Sequence, residues 1–177
     1  FDKKIENVSH HTLFFDTDFD AHAREIYDNP KWPTDPLFYA NFTSLSDETS
    51  APEGKEAGFF LIPLAPGIKD TLELREEYFD KIMDRFEKLT NQKVKEHVLF
   101  KKSFCVNDFK EEYNSYKGNA YGMANTLFQT AFLRPKIKSG KVKNLYFTGQ
   151  LTVPGPGVPP ALISGKIASE LIIKNQY

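Results

Sequence analysis

Between residues 70 and 89, apolar side chains recur at intervals of three and four: Leu74, Tyr78, Ile82, Phe86 and Leu89. That period puts them on one side of an α-helix. The opposite side carries charge. Glu77–Lys81 and Asp84–Lys88 stand at the i,i+4 spacing that supports an exposed helix face. Asp70 followed by Glu73 has the form of a capping pair, so a helix is predicted over 70–89. Shorter helices are expected over 19–27, stopped by Asp28-Asn29-Pro30, and over 106–113, capped by Asn107 or Asp108.

Elsewhere the apolar runs are short and rich in aromatic residues, which suits strands. Strands are expected over 8–15, 37–42, 57–64 and 93–101. Residues 43–55 between the second and third are polar, with Pro52 and Gly54, so those two strands are expected to form a hairpin around an exposed loop. His10 and His11 invite a metal reading. Neighbours on a strand point to opposite faces, so the expectation is one buried and one exposed histidine. His22 lies on the next segment, with no carboxylate spaced to complete a site. Trp32-Pro33-Thr34-Asp35-Pro36 reads as a turn-rich connector.

The end of the chain has a different grain. Leu145, Tyr146 and Phe147 form an apolar run short enough for a buried strand. Gly149 closes it, and Pro154, Gly155, Pro156 and Gly157 follow as a stiff path with few side chains. Pro159 and Pro160 suit a first helical turn. A helix starting there would aim its free N–H groups and positive dipole end at whatever fills the loop. Two readings stand at this level: an ordinary βα turn, or a seat for an electron-rich ligand. Upstream, Tyr116, Tyr121, Met123, Phe128 and Phe132 lie in a segment without clear period. They are equally compatible with core and with the lining of an apolar pocket.

Composition narrows the classes. The 177 residues include 16 Phe and 8 Tyr, enough apolar material for a sizeable core. The net charge of −1 gives no basic face of the kind that non-specific nucleic-acid binding uses. The single Cys105 excludes an internal disulfide and a cysteine-based metal site, so no metal site is expected. No apolar run reaches the ~18 residues of a membrane span, and no signal-peptide pattern is seen at Phe1. The chain does not begin with Met, which raises the expectation of a longer parent. No G-x-G-x-x-G occurs; Gly155-Pro-Gly157 matches its first half only, with Pro160 in the third place. A terminal strand–loop–helix without a first βαβ unit reads as incomplete.

The ending, with Asn144, Gly149, Thr152, Pro154, Gly155, Gly157, Val158 and Pro159, resembles the C-terminal flavin motif of the bacterial phytoene desaturase family. These are FAD-dependent carotenoid desaturases related to the amine oxidase superfamily. Other segments resemble the same family in order and spacing. They are the histidine-bearing run 9–15, the Thr49-Ser50-Ala51-Pro52-Glu53-Gly54 segment, and the strand 60–67. Asp108-Phe109, Tyr113-Asn114, Gly118-Asn119-Ala120-Tyr121-Gly122 and Phe132-Leu133-Arg134-Pro135 complete the set. Gln150-Leu151 and Pro160 depart from the common pattern, which puts the substrate and reaction in doubt more than the cofactor.

The resemblance implies a C-terminal fragment of an α+β or α/β enzyme. Residues 1–130 would form part of a substrate domain with a mixed or antiparallel sheet and helices. Residues 131–177 would return to an FAD-binding, Rossmann-like domain as its terminal strand–loop–helix. Gly149, Gln150, Thr152, Gly155, Gly157, Val158, Pro159 and Pro160 would bind FAD. Tyr121, Met123, Phe128 and Phe132 would meet a long apolar polyene. The implied reaction turns CH–CH into C=C in phytoene or a related carotenoid precursor. A cytoplasmic protein in peripheral contact with the membrane is expected, with no nucleic-acid partner. Its N-terminal half would be missing from this chain, and the fragment would be inactive alone. The resemblance assigns no catalytic acid or base. The alternatives are a carotenoid isomerase or saturase of the same flavoenzyme group, or a non-enzymatic polyene- or lipid-binding module built on residues 113–132.

Overall fold

A computed structural model describes residues 1–124 and 126–176 and shows a mixed α+β protein. The strands are β1 (His11–Phe14), β2 (Phe38–Phe42) and β3 (Gly58–Leu61). The α-helices are α1 (Phe19–Tyr27), α2 (Leu72–Thr90), α3 (Val106–Tyr113) and α4 (Val158–Gln176). The chain divides into two compact units, Phe1–Glu112 and Tyr113–Tyr177.

The first unit is an antiparallel sheet in the order β1-β2-β3, with the expected hairpin pairing Ala40 to Phe60 and Phe42 to Gly58. Alternation along β2 sends Phe38, Ala40 and Phe42 to one face, where all three are buried. Ile82, Met83 and Phe86 of α2 meet them, with Ile5, Phe14 and Val94 completing the core. Phe86 sits edge-on to Phe14 and Phe60, at ring centroids of 5.6 and 5.3 Å, and tilted against Phe42 at 5.8 Å.

Several expectations are corrected here. Asp70 does not cap α2; Thr71 does, its hydroxyl accepting the Leu74 N–H at 3.3 Å. Asp70 instead accepts two bonds from Arg75, each 2.7 Å, and the Asn107 N–H at 2.8 Å, so it serves the start of α3. The Arg75 guanidinium, seconded by that backbone donor, holds the Asp70 carboxyl below the usual carboxylate range against the effect of burial. Asp108 accepts the Cys105 N–H at 2.7 Å, one half of a cap for α3.

Thr90, not Leu89, ends the buried stripe of α2, and its hydroxyl is satisfied by the Phe86 carbonyl at 2.6 Å. The two outer-face ion pairs do not form among the described residues. Lys81 donates to the Thr34 carbonyl at 3.0 Å, and Asp84 pairs with Lys95 at 3.2 Å.

The strand expected over 93–101 is a 3₁₀ turn, Lys95–His97. The Glu87 carboxylate takes the N–H groups of Val94 and Lys95, at 2.7 and 2.9 Å, that a sheet ladder would need. The histidines are also redistributed. His10 is half-buried and His11 exposed; the buried one is His22, at 4% exposure. His22 Nδ1 accepts the Leu37 N–H at 3.0 Å and Nε2 lies 3.2 Å from the Pro63 carbonyl, so it fastens α1 beside the sheet. Among the described residues, no group of three or more His, Cys, Asp or Glu is placed to hold a metal ion.

Candidate functional site

The second unit contains every residue expected to bind cofactor or substrate. Its strand is much reduced. Residues 145–147 pair with 137–139 through one antiparallel bridge, Lys138 to Tyr146, flanked by Phe147 N–H to the Ile137 carbonyl (2.7 Å) and Ser139 N–H to the Leu145 carbonyl (2.9 Å). Leu145 and Phe147 are 39% and 45% exposed, so the run is not the buried strand its composition suggested. A strand persists only where neighbours pair with it, and here a single short partner does so.

The loop that follows is held by side chains reaching to backbone. Gly149 donates its N–H to the Ser164 hydroxyl at 2.7 Å, which ties the loop's start to α4. Thr152 is buried, and its hydroxyl donates to the Pro135 carbonyl at 2.7 Å. Arg134 is 3% exposed and donates to the carbonyls of Gln150 (2.9 Å) and Gln129 (3.3 Å). Three glycines carry the bends, Gly149, Gly155 and Gly157, with φ of 96°, 136° and 110°. Side chains other than glycine's are strained there. A Cβ on Gly155 would also stand 3.6 Å from the Arg134 guanidinium, so the loop bends around that cation.

The helix α4 begins at Val158, where it was expected, but its N-terminus offers less than the sequence implied. Pro159 and Pro160 lack N–H groups, and the Ala161 N–H is already bonded to the Gly157 carbonyl at 3.0 Å. Of residues 158–161, Val158 keeps an N–H without a partner among the described residues. The helix dipole remains. The end of α4 therefore favours negative charge chiefly as a field, with one directed donor.

Gly149 has open space where a Cβ would stand, whereas a Cβ on Gly155 or Gly157 would meet Arg134 or Pro160, so the main chain is laid bare at Gly149. That lets a flat or extended molecule lie against the main chain. The donor set suits an electron-rich group at the Val158 end. These residues fit a flavin.

The aromatic segment lies beside this loop in the same unit. The Asn119 side chain accepts the Gly122 N–H at 2.5 Å and donates to the Tyr116 carbonyl at 2.6 Å, closing a tight turn. Gly122 has φ 82°, and a Cβ there would press into the Leu151 side chain. So the turn holding Tyr121 and Met123 packs directly on the loop holding Gln150 and Thr152. Tyr121, Phe128 and Phe132 are 64%, 84% and 86% exposed, and Met123 is half-buried. Within this unit the three aromatics Tyr121, Phe128 and Phe132 rest on the surface and not in its core. Leu127 joins them at 86%.

Two contributors to the loop were not singled out from sequence. Arg134 is visible in the Phe-Leu-Arg-Pro run but carries no sign of where it points. Ser164 is a single hydroxyl in the first turns of α4 and carries no sign of its partner.

No protein-family model matches the chain. It is similar to curated proteins over nearly its whole length. It is 43% identical over 171 residues to a carotenoid 3,4-desaturase of Haloarcula japonica, covering 97% of this chain and 34% of that protein. It is 32% identical over 183 residues to a 4,4'-diapophytoene desaturase (4,4'-diaponeurosporene-forming) of Staphylococcus aureus, covering 96% and 35%. It is 29% identical over 174 residues to a 4,4'-diapolycopen-4-al dehydrogenase of Metabacillus indicus, covering 98% and 35%. The chain spans about a third of the length of the curated relatives it matches.

Proposed function

The chain is a homologue of the carotenoid desaturases along 97% of its length, and we propose that it is the C-terminal third of an FAD-dependent enzyme that desaturates an apolar polyene. The similarity to the Haloarcula japonica desaturase carries this reading. The geometry of the second unit supports it. Gly149, Gln150, Thr152, Gly155, Gly157, Val158, Pro159 and Pro160 line the FAD side, as the end of a Rossmann-like domain. When bound, FAD would supply the two-electron acceptor for forming a C=C bond between saturated carbons.

The chain's own residues position and polarise. Ser164 and Arg134 fix the bends of the loop, through Gly149 N–H and the Gln150 carbonyl. The positive end of α4 favours electron density near Val158. Tyr121, Met123, Phe128 and Phe132 offer the polyene an apolar surface next to that loop. The functional division near residue 130 and the geometric one after Glu112 differ by this aromatic segment: it packs with the flavin loop yet serves the substrate.

The remaining two thirds of the parent would supply the pyrophosphate-binding half. The parent would meet membrane lipid peripherally, because its substrate dissolves there. Among the described residues no helix is long and apolar enough to cross a membrane.

The test uses the full-length protein and phytoene. Co-purifying flavin and products with new conjugated double bonds are expected. Products that change only in double-bond geometry would replace desaturation with isomerisation. The isolated 177-residue chain is expected to lack stoichiometric flavin. Tight retention there would contradict the assignment of the pyrophosphate site to the rest of the parent.

A further inference from the structure

The sheet of the first unit has one edge that β1, β2 and β3 leave open. The alternation of an antiparallel ladder decides which backbone groups face it. Phe42 donates its N–H to the His10 carbonyl at 2.9 Å, and Ala40 and Phe38 follow in register opposite Thr12 and Phe14. The even-numbered residues of β2 therefore bond towards β1. Tyr39 and Asn41 bond the other way, towards Leu61 and Phe59 of β3. Gly58 and Phe60 then turn their N–H and C=O groups away from β2, and among the described residues no partner meets them there.

One residue already stands on this edge. Phe1 donates from its backbone nitrogen to the Glu56 carbonyl at 2.8 Å, and its carbonyl accepts the Glu56 N–H at 3.2 Å. That exchange is the hydrogen-bonded pair of an antiparallel ladder. Asp2 turns the other way and donates its N–H to the His97 carbonyl at 2.9 Å, as the next residue of an extended chain does. The Phe1 ring lies on the core side of the sheet. It meets Phe60 edge-on at 6.5 Å, and it leans over Gly58, where a Cβ would stand 2.8 Å from it. An antiparallel strand paired at Glu56 can reach Gly58 and Phe60 in one direction only, backwards from Phe1.

We propose that the segment of the parent immediately before Phe1 runs antiparallel along β3 as a fourth strand of this sheet. The Phe1–Glu56 pair sets its register. The second residue before Phe1 pairs with Gly58, the third with Phe59 and the fourth with Phe60. The second and fourth share the core face with Phe1, and the third shares the solvent face with Phe59. In the parent the Phe1 nitrogen is an amide with its N–H still aimed at Glu56, so the preceding residue leaves along the open edge. A second copy of the chain could pair with Gly58 and Phe60 only by displacing that continuation. The fourth strand rests on the reading of this chain as part of a longer parent, and it makes the β3 edge a joint between the two.

Two measurements on the full-length protein test this. In the wild type, the Gly58 and Phe60 amides are expected to be protected from hydrogen exchange to within about tenfold of Phe59 and Leu61, which bond to β2. Free exchange at Gly58 and Phe60 beside protected Phe59 and Leu61 overturns the proposal. The second measurement combines Phe59→Cys with a cysteine substitution at the third residue before Phe1. The two thiols then stand at a non-hydrogen-bonded pair, whose Cα separation of about 4.5 Å a disulfide spans. An intramolecular disulfide is expected under mild oxidation, mapped by mass spectrometry of unreduced peptides. Moving the second cysteine by one residue puts it on the other face and should abolish the crosslink. No crosslink at the registered pair, equal crosslinking at both, or a disulfide joining Phe59→Cys of two copies overturns the proposal. Such a failure in a protein that binds flavin and desaturates phytoene leaves the proposed function standing. Protection and the registered crosslink in a protein without flavin keep the fourth strand and overturn the proposed function.

Discussion

The two units are held together by different physics. In the first, Phe42 and Phe86 are fully buried and interlock with Phe14, Phe38 and Phe60, so the interior is made of aromatic hydrocarbon. In the second, the buried side chains include Arg134, Thr152 and Ser164, each bonded to backbone of the loop or its neighbours. The second unit's large apolar side chains are mostly outside: Leu127, Phe128, Phe132, Val158 and Leu162 are between 71% and 86% exposed. A unit that spends its polar groups inside and displays its apolar ones is shaped to be covered. Helix α4 says the same. Its exposed positions carry large apolar side chains, Val158 at 76%, Leu162 at 71% and Ile173 at 60%, beside the Lys166–Glu170 pair.

The largest expected effect falls on the first unit. Phe86→Ala should lower its stability by about 3–5 kcal/mol, because a fully buried ring with three ring partners leaves a cavity that cannot collapse. Denaturant unfolding followed by circular dichroism measures it. A loss under about 1 kcal/mol would mean that the aromatic cluster is not what holds this unit.

Next comes Gly122→Ala in the second unit, with an expected cost of about 1–3 kcal/mol from its left-handed backbone alone. The new methyl would also collide with Leu151. Adding Leu151→Ala should recover part of the loss and not all of it, since the backbone strain stays. Native-state hydrogen exchange of residues 119–152 reads this. Full recovery would show that packing alone, not φ, governs the contact between the aromatic turn and the loop.

The same contrast explains what was legible in the sequence. Elements that bury a periodic stripe declared themselves: the helix over 19–27 agrees residue for residue, and the hairpin of β2 and β3 follows from alternation around a polar loop. Errors arose where a side chain captured backbone donors from a distance. Asp70 has the right place to cap α2 but is drawn to Arg75 and Asn107, which lie 5 and 37 residues away. Glu87 turns an expected strand into a 3₁₀ turn by the same means. At the flavin loop, the Gly and Pro positions were readable because their φ preferences are local. The anchors Arg134 and Ser164 were not, because the partners of a buried polar group are set by the fold and not by spacing.

Glu87→Gln probes one of those captures, with a smaller effect. The backbone N–H of Lys95 first, then that of Val94 and the Lys93 ammonium, hold the carboxyl at about 2 against an ordinary 4.5, with burial opposing. As pH falls, the unfolded chain takes up the proton first. The contribution of Glu87 is therefore complete above pH 4.5 and disappears as pH drops towards about 2. At neutral pH the substitution should cost about 1.5 kcal/mol, the scale of hydrogen bonds to a charged acceptor. The gap between wild type and Glu87→Gln should close across that acidic window. A gap independent of pH would assign the turn to something other than the carboxylate.

The smallest effect sharpens the comparison most. Leu162 is 71% exposed on α4, so Leu162→Ala in the isolated chain should change stability by no more than about 0.5 kcal/mol. The residue is nevertheless of the kind that cores are built from. In the full-length protein, the covering expected for α4 would bury it, and the same substitution should then cost about 2–5 kcal/mol. The ratio of the two losses, both read by denaturant unfolding, measures how much of the second unit's apolar surface waits for the rest of the parent. Equal small losses in both would leave the surface of α4 uncovered in the parent. A large loss in the isolated chain would show that this unit covers Leu162 by itself.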